Sequence, residues 1–248
     1  MGIRYDGHHS DEFGMVCKIK ELPLLPKTRR EKEDIPGRDG VYVYETGGFE
    51  EKKIVIECAY APNLDFATRR NLSREVSAWL SAPSGDLILD KEPDKKYKAR
   101  IDDSVDPSFF PYYDQFDIQF YVHPIAFIVD TTDSAKEYKD IVSSTVLEIQ
   151  NGGTYNALPL IKINGSASAL TITDDLNNNF TYSNLESEEI IIDCMNKLVY
   201  SVIEGIKTNK RSNFSGKYLS IKPGLNTVEV TGTITNVTIT FIFDDCFL

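Results

Sequence analysis

Ile35-Pro36-Gly37-Arg38-Asp39-Gly40 carries two overlapping turn signals. Pro36 fixes φ near the value a first turn position needs, and Gly37 takes φ > 0 at the next. Asp39-Gly40 repeats the pattern just before Val41-Tyr42-Val43-Tyr44, which runs toward a strand. The hexapeptide is therefore expected as a loop between strands, with Arg38 and Asp39 at its tip placed to reach a neighbouring molecule. A bulky residue at Gly37 or Gly40 would cost about 1–2 kcal/mol where φ is positive.

Upstream, residues 2–6 and 13–20 read as short strands, with Met15, Cys17 and Ile19 on one face and Val16, Lys18 and Lys20 on the other. Leu22 to Asp34 begins with prolines and ends in the charged run Lys27-Thr28-Arg29-Arg30-Glu31-Lys32-Glu33-Asp34. It reads as a solvated loop or the hydrophilic tip of a hairpin, and its sharper reading is an arm that contacts a neighbouring subunit. Downstream, Lys52 to Ala61 alternates as a strand. Leu72, Val76, Trp79 and Leu80 form one helical stripe, with Asn63 or Asp65 as the cap and Pro83 and Gly85 as the stop. Arg69, Arg70, Arg74 and Glu75 lie off that stripe, and Trp79 reads as core. Asp86 to Asp90 and Tyr97 to Asp102 suggest a hairpin, Ser104 to Tyr113 a loop, and Gln115 to Val122 a strand with Phe116, Ile118 and Phe120 facing inward. Residues 1–130 are thus expected as an α+β domain, an antiparallel sheet with one packed helix.

Residues 131–142 are polar and read as a linker. From 143 to 248 charge density falls, and turn signals recur about every ten residues: Asn151-Gly152-Gly153, Asn164-Gly165, Asn177-Asn178-Asn179, Cys194-Met195-Asn196-Lys197, Thr208-Asn209-Lys210-Arg211 and Pro223-Gly224. Many short strands at that spacing imply a β-sandwich or jelly roll, so the fold class is mainly β.

The chain has 248 residues and a net charge of −11. Residues 1–140 hold 20 Lys and Arg against 27 Asp and Glu, so neither half has the basic surplus that grips DNA. An acidic surface past which DNA slides is compatible with this balance. No apolar run approaches the roughly 20 residues of a membrane span, and the N-terminus lacks a signal-peptide core; the expectation is a protein made in a cytoplasm. Cys17, Cys58, Cys194 and Cys246 form no C-x-x-C pair and read as buried thiols.

Catalytic chemistry is not assembled. The three histidines are His8, His9 and His123; the first two read as a polar turn without a third metal ligand, and the last as a strand end. Adjacent carboxylates such as Asp102-Asp103 and Asp244-Asp245 point to opposite faces of a strand. Asp174-Asp175-Leu176-Asn177-Asn178-Asn179 is dense in oxygen but lacks the glycine and terminal glutamate of a calcium loop. Nucleophile-elbow, Walker and dinucleotide patterns are missing, so no cofactor and no metal are expected. A carbohydrate-binding sandwich contacting host cell-wall glycan, stacking sugar on Tyr155, Tyr182, Tyr200 or Phe214, is the alternative from another class.

The ordered run of short pieces resembles the distal tail protein (Dit) family of siphophages infecting Gram-positive bacteria. The pieces are Tyr5-Asp6-Gly7, Ser10 with Phe13-Gly14, Ile35 to Gly40, Asp90-Lys91-Glu92-Pro93, Tyr97-Lys98-Ala99 and Phe116 to Phe120 with Pro124. In the second half they are Asn151-Gly152-Gly153-Thr154, Ala157, Pro159, Ile191-Ile192-Asp193 and Pro223-Gly224-Leu225-Asn226. The resemblance implies a structural virion protein of the tail tip or baseplate, not an enzyme. It implies a homohexamer ring at the distal end of the tail tube, or a dodecamer in isolation, whose N-terminal domain surrounds a DNA channel and whose galectin-like sandwich projects outward. Its partners would be the tail tube protein, the tail-associated lysin or hub protein, and the receptor-binding and tape measure proteins. Ile35, Pro36, Gly37, Arg38, Asp39 and Gly40 are the candidate subunit-interface loop.

Overall fold

Every second residue of Asp114–Val122 is buried, and the sheet of the N-terminal unit is built around that strand. The computed structural model describes residues 1–60, 64–109, 114–129 and 134–248. Met1–Val129 with Leu248 forms one unit and Asp130–Phe247 the other. The strands of the first are β1 (Ile3–Tyr5), β2 (His8–His9), β3 (Met15–Glu21), β4 (Thr28–Asp34), β5 (Val41–Phe49), β6 (Lys52–Tyr60), β7 (Gly85–Leu89), β8 (Glu92–Arg100), β9 (Ser108–Phe109), β10 (Asp114–Val122) and β11 (Ala126–Ile128). Helix α1 (Phe66–Leu80) lies between β6 and β7.

The main sheet runs β2-β1-β7-β8-β10-β6-β3, with β9 added to β10 and β11 to β8. Its core is Ile3, Tyr5, Ile54, Ile56, Leu87, Leu89, Ile118 and Phe120, all fully buried. The helix docks through Val76, Trp79 and Leu80, as its stripe requires. Trp79 stacks on Phe13 at 4.8 Å, and its indole N–H donates to the Tyr5 carbonyl at 2.8 Å. Asp65 caps the helix; Asn63 lies outside the described residues. Arg69, expected off the apolar stripe, is nevertheless buried, with Nη1 2.7 Å from Asp114 Oδ1. Asp114 continues the inward parity of β10, so a cation had to meet it from the helix.

Two local expectations are corrected here. Thr28–Asp34 is not a loop or a tip but a strand, paired along its length with β5. Its run of charge shows no alternation because nearly all of its side chains reach solvent. Within the expected linker 131–142, the described part holds β12 (Ala135–Ile141), which pairs with the last long strand of the second unit; residues 131–133 lie outside the described residues.

The second unit continues with β13 (Thr145–Asn151), β14 (Leu160–Thr173), β15 (Asn179–Asp193), β16 (Leu198–Ile203), β17 (Ile206–Asn209), β18 (Phe214–Gly216), β19 (Gly224–Ile242) and β20 (Cys246–Phe247). It is the expected β-sandwich, built differently from a set of uniformly short strands. Strands β14, β15 and β19, of 14, 15 and 19 residues, run through bends, with β14 paired along its length to β15 on one side and to β19 on the other. The first part of β19 pairs with β13 and its last part with β12. Likewise β15 pairs first with β18 and then with β16. Inward parity switches at the bends. On β14 the buried residues are Ile161, Ile163 and Ala167, then Leu170 and Ile172. On β19 they are Val228 and Val230, then Val237, Ile239 and Phe241.

Asn164-Gly165 is therefore a bulged bend inside a strand and not a turn. Thr208-Asn209 belongs to β17, and the reversal lies earlier, at Glu204 and Gly205, both at positive φ. The bends depend on glycine. Gly165 and Gly232 sit at φ +134° and +129°, and a Cβ on them would lie 2.1 Å from the Asn236 carbonyl oxygen and 2.2 Å from that of Ala169.

Gly232→Ala is expected to lower the stability of this unit by about 2–4 kcal/mol, read as a lower urea midpoint. Gly205→Ala, at φ +79° with nothing within 4 Å of the added carbon, is expected to lose only about 1 kcal/mol.

Candidate functional site

The Ile35–Gly40 loop forms the tip of the β4–β5 hairpin, a two-stranded sheet separate from the main one. The turn forms as its residues dictate. Arg38 N–H donates to the Ile35 carbonyl at 3.1 Å, and Gly37 and Gly40 both take φ +83°. At the base, Glu50 N–H donates to the Lys27 carbonyl at 2.7 Å, and Lys27 Nζ pairs with Glu50 Oε2 at 3.1 Å. Cross-strand partners set charge against apolar side chains: Glu31 faces Tyr44, Lys32 faces Val43, Glu33 faces Tyr42 and Asp34 faces Val41. Tyr42 and Tyr44 meet edge to face at 4.6 Å, and the Arg38 guanidinium stands 5.7 Å from the Tyr42 ring.

Valines and tyrosines are exposed on both faces of this hairpin. Val41 is 53% exposed, Tyr42 42%, Val43 44% and Tyr44 46%. Leu24 and Leu25, in the approach to β4, are also exposed. A lone two-stranded hairpin is marginal in water, and its two open edges invite pairing. The arrangement suits docking against a macromolecule and holds no catalytic group.

Other sequence candidates resolve into structural roles. His9 Nε2 lies 3.0 Å from Asp90 Oδ1, and His8 Nδ1 2.9 Å from Glu12 Oε2. Asp90 also accepts the Gly2 N–H, so this cluster fastens the N-terminus to the β7–β8 turn. Hydrogen bonding to His9 holds the Asp90 carboxyl below the usual carboxylate range. Among the described residues no cluster of His, Cys, Asp and Glu is fit to hold a metal. Asp174 is buried and accepts the N–H groups of Leu176 and Asn178 at 2.9 and 2.8 Å, filling the role a calcium loop would leave to the ion. Of the four aromatics considered for sugar stacking, Tyr182 and Phe214 are buried, and the Tyr200 ring lies under Lys207 at 4.8 Å. A cleft of about 870 Å³ beside the hairpin is lined by charges already matched within it, Lys98 with Asp86 at 2.6 Å and Arg100 with Glu51 at 2.7 Å. Among the described residues no helix is long and apolar enough to cross a membrane.

Two buried asparagines escaped attention as fasteners. Asn151 Nδ2 donates to the carbonyls of Tyr155 and Ile221 at 3.1 and 3.0 Å. Asn226 Nδ2 donates to those of Lys222 and Gly224 at 2.8 and 3.0 Å. Asn151 is opposite Gly224 in the β13–β19 register, so two separate sequence motifs meet at one end of the unit. Their proximity to Gly and Pro turn signals was the available clue.

Comparison with protein families agrees with both units. Residues 16–122 match the phage tail protein RIFT-related domain, and residues 152–243 match the siphovirus-type tail component C-terminal domain. The chain belongs to the siphovirus distal tail protein family. It is a structural component of a phage tail. Among solved structures, the Dit protein of phage SPP1 matches over 100% of this chain and 99% of its own, at TM-score 0.71 and 14% identity, which establishes the shared fold. A chain of the phage P2 baseplate, in its activated conformation with calcium, aligns over 97% of this chain and 98% of its own, at 9% identity and a TM-score of 0.42. No curated protein sequence matches the chain.

Because the Asp90 carboxyl is more acidic folded than unfolded, its stabilisation is present above about pH 4 and is lost as pH falls through its folded value. The urea midpoint of the wild type is expected to fall between pH 5 and about pH 3, and Asp90→Asn to reduce the steepness of that fall. An unchanged slope would remove Asp90 from the acid response.

Proposed function

We propose that this chain forms a hexameric ring at the distal end of the tail tube and joins the tube to the tail-tip hub, the tail-associated lysin. The observation that carries the reading is the β4–β5 hairpin, which exposes valines and tyrosines on both faces and leaves the main sheet altogether. In a ring each hairpin docks on the neighbouring subunit, with Arg38 and Asp39 at the contact. A head-to-tail contact of this kind repeats around the ring and should bury well over ~1,000 Å² in total. The solved SPP1 protein is described as a paradigm of the hub adsorption apparatus in phages infecting Gram-positive bacteria, which agrees with this placement.

The acidic surplus of the chain supports a lumen through which DNA moves without sticking. The sandwich unit serves as a platform for other tail proteins, the receptor-binding protein among them, and assembly takes place in the host cytoplasm. A pore lined by Lys and Arg in the assembled ring would overturn the lumen assignment.

Light scattering across a concentration series is expected to give the mass of a hexamer, or of a back-to-back dodecamer, for the wild type alone or with the tail tube protein. Arg38→Ala with Asp39→Ala is expected to weaken assembly about fivefold or more. Rings of wild-type stability in that variant would refute the hairpin contact, and a wild type that stays monomeric even with the tube protein would refute the ring.

A further inference from the structure

Cys17 and Cys58 face each other directly across the β3–β6 ladder, with their sulfurs 3.1 Å apart and both side chains buried. The backbone shows which kind of pair they form. Cys17 N–H donates to the Met1 carbonyl at 3.0 Å, on the side of β3 away from β6. Cys17 and Cys58 are therefore a non-hydrogen-bonded pair, the class in which opposed Cα atoms approach to about 4.5 Å. That spacing lies inside the range a disulfide spans, and the sulfurs need to close by only about 1 Å to reach bonding distance. The other two cysteines, Cys194 and Cys246, belong to the second unit.

We propose that Cys17 and Cys58 are a redox-responsive pair, dithiol under reducing conditions and a cross-strand disulfide after exposure to a peroxide. In the first step the Cys17 sulfur attacks one peroxide oxygen, the O–O bond breaks, and water leaves as Cys17 becomes a sulfenic acid. In the second, the Cys58 sulfur attacks the Cys17 sulfur and the S–O bond breaks; the departing hydroxyl takes the Cys58 proton and leaves as a second water. Two thiols are oxidised and one peroxide is reduced. The two thiols share a hydrogen bond in which either sulfur can be the donor, so either can present its sulfur as the acceptor. Cys17 is on the strand that ends the sheet order, where fraying admits a small oxidant.

The position of the pair gives the bond a consequence. The chain between Cys17 and Cys58 contains the whole β4–β5 hairpin. A disulfide would close that excursion at its root and fix the two strands from which it departs. Formation of this bond does not depend on the ring.

The test is to incubate the folded, full-length protein with hydrogen peroxide, block remaining thiols under denaturing conditions, and map the peptides by mass spectrometry. The expected result is a Cys17–Cys58 crosslink that a reductant reverses, with Cys194 and Cys246 still alkylated, and a melting temperature raised by about 10 °C. Cys58→Ala is expected to halt at a Cys17 sulfenic acid, trapped by a dimedone-type probe. Recovery of all four thiols from the treated native protein, or a crosslink that forms only after denaturation, would overturn the proposal.

Discussion

The antiparallel pairing of β3 with β6, from Met15 opposite Tyr60 to Glu21 opposite Val55, is the constraint on which the N-terminal unit depends. It forces the chain to return after the hairpin to the same sheet it left. Ile54, Ile56 and Cys58 fill the core on that return, and β6 then pairs with β10 over its whole length. The root is anchored in a ladder whose inward face carries the buried Met15, Cys17, Ile56 and Cys58, so the hairpin itself needs little internal stability. Its described side chains contribute almost no burial, so its ordering rests on the turn geometry of Pro36 and Gly37 and on its own ladder.

The parts of the fold that were readable in the sequence are those where burial is one-sided. Strand β10 alternates because one face is core, and the α1 stripe recurs at helical spacing because one side of the helix packs. The Ile35–Gly40 turn was readable for a different reason: its φ values are imposed by Pro and Gly whatever surrounds them. Features set by long-range pairing were not. The charged strand β4 has no buried face to mark it, and the polar residues of β12 pair at the margin of a sheet. Asn164-Gly165 has the composition of a turn, yet its partners on β19 turn it into a bend within a continuous strand. The ion pair of Arg69 with Asp114 joins residues 45 positions apart, and local spacing carries no trace of it.

The sequence motifs that carried the family resemblance divide along the same line. Asn151, Gly153 and Asn226 close loop backbones at one end of the sandwich, and Asp90 secures His9 and the Gly2 amide. These are fasteners whose side chains satisfy buried or partly buried polar groups, which is why their residue types are specific. The hairpin tip is specific only in its glycines and proline, and what the sequence made legible there is the turn itself. A protein whose work is to hold other proteins presents surfaces, and surfaces lack the residue-level chemistry by which a catalytic site announces itself.

The measurement that tests this account most directly is hydrogen–deuterium exchange over residues 28–49, compared between the assembled oligomer and a dilute monomer at the same pH. Docking of the hairpin on a neighbouring subunit predicts strong protection of β4, the tip and β5 in the oligomer and near-complete loss of that protection in the monomer, while β6 and β10 stay protected in both. Equal exchange of the hairpin in the two states would contradict it.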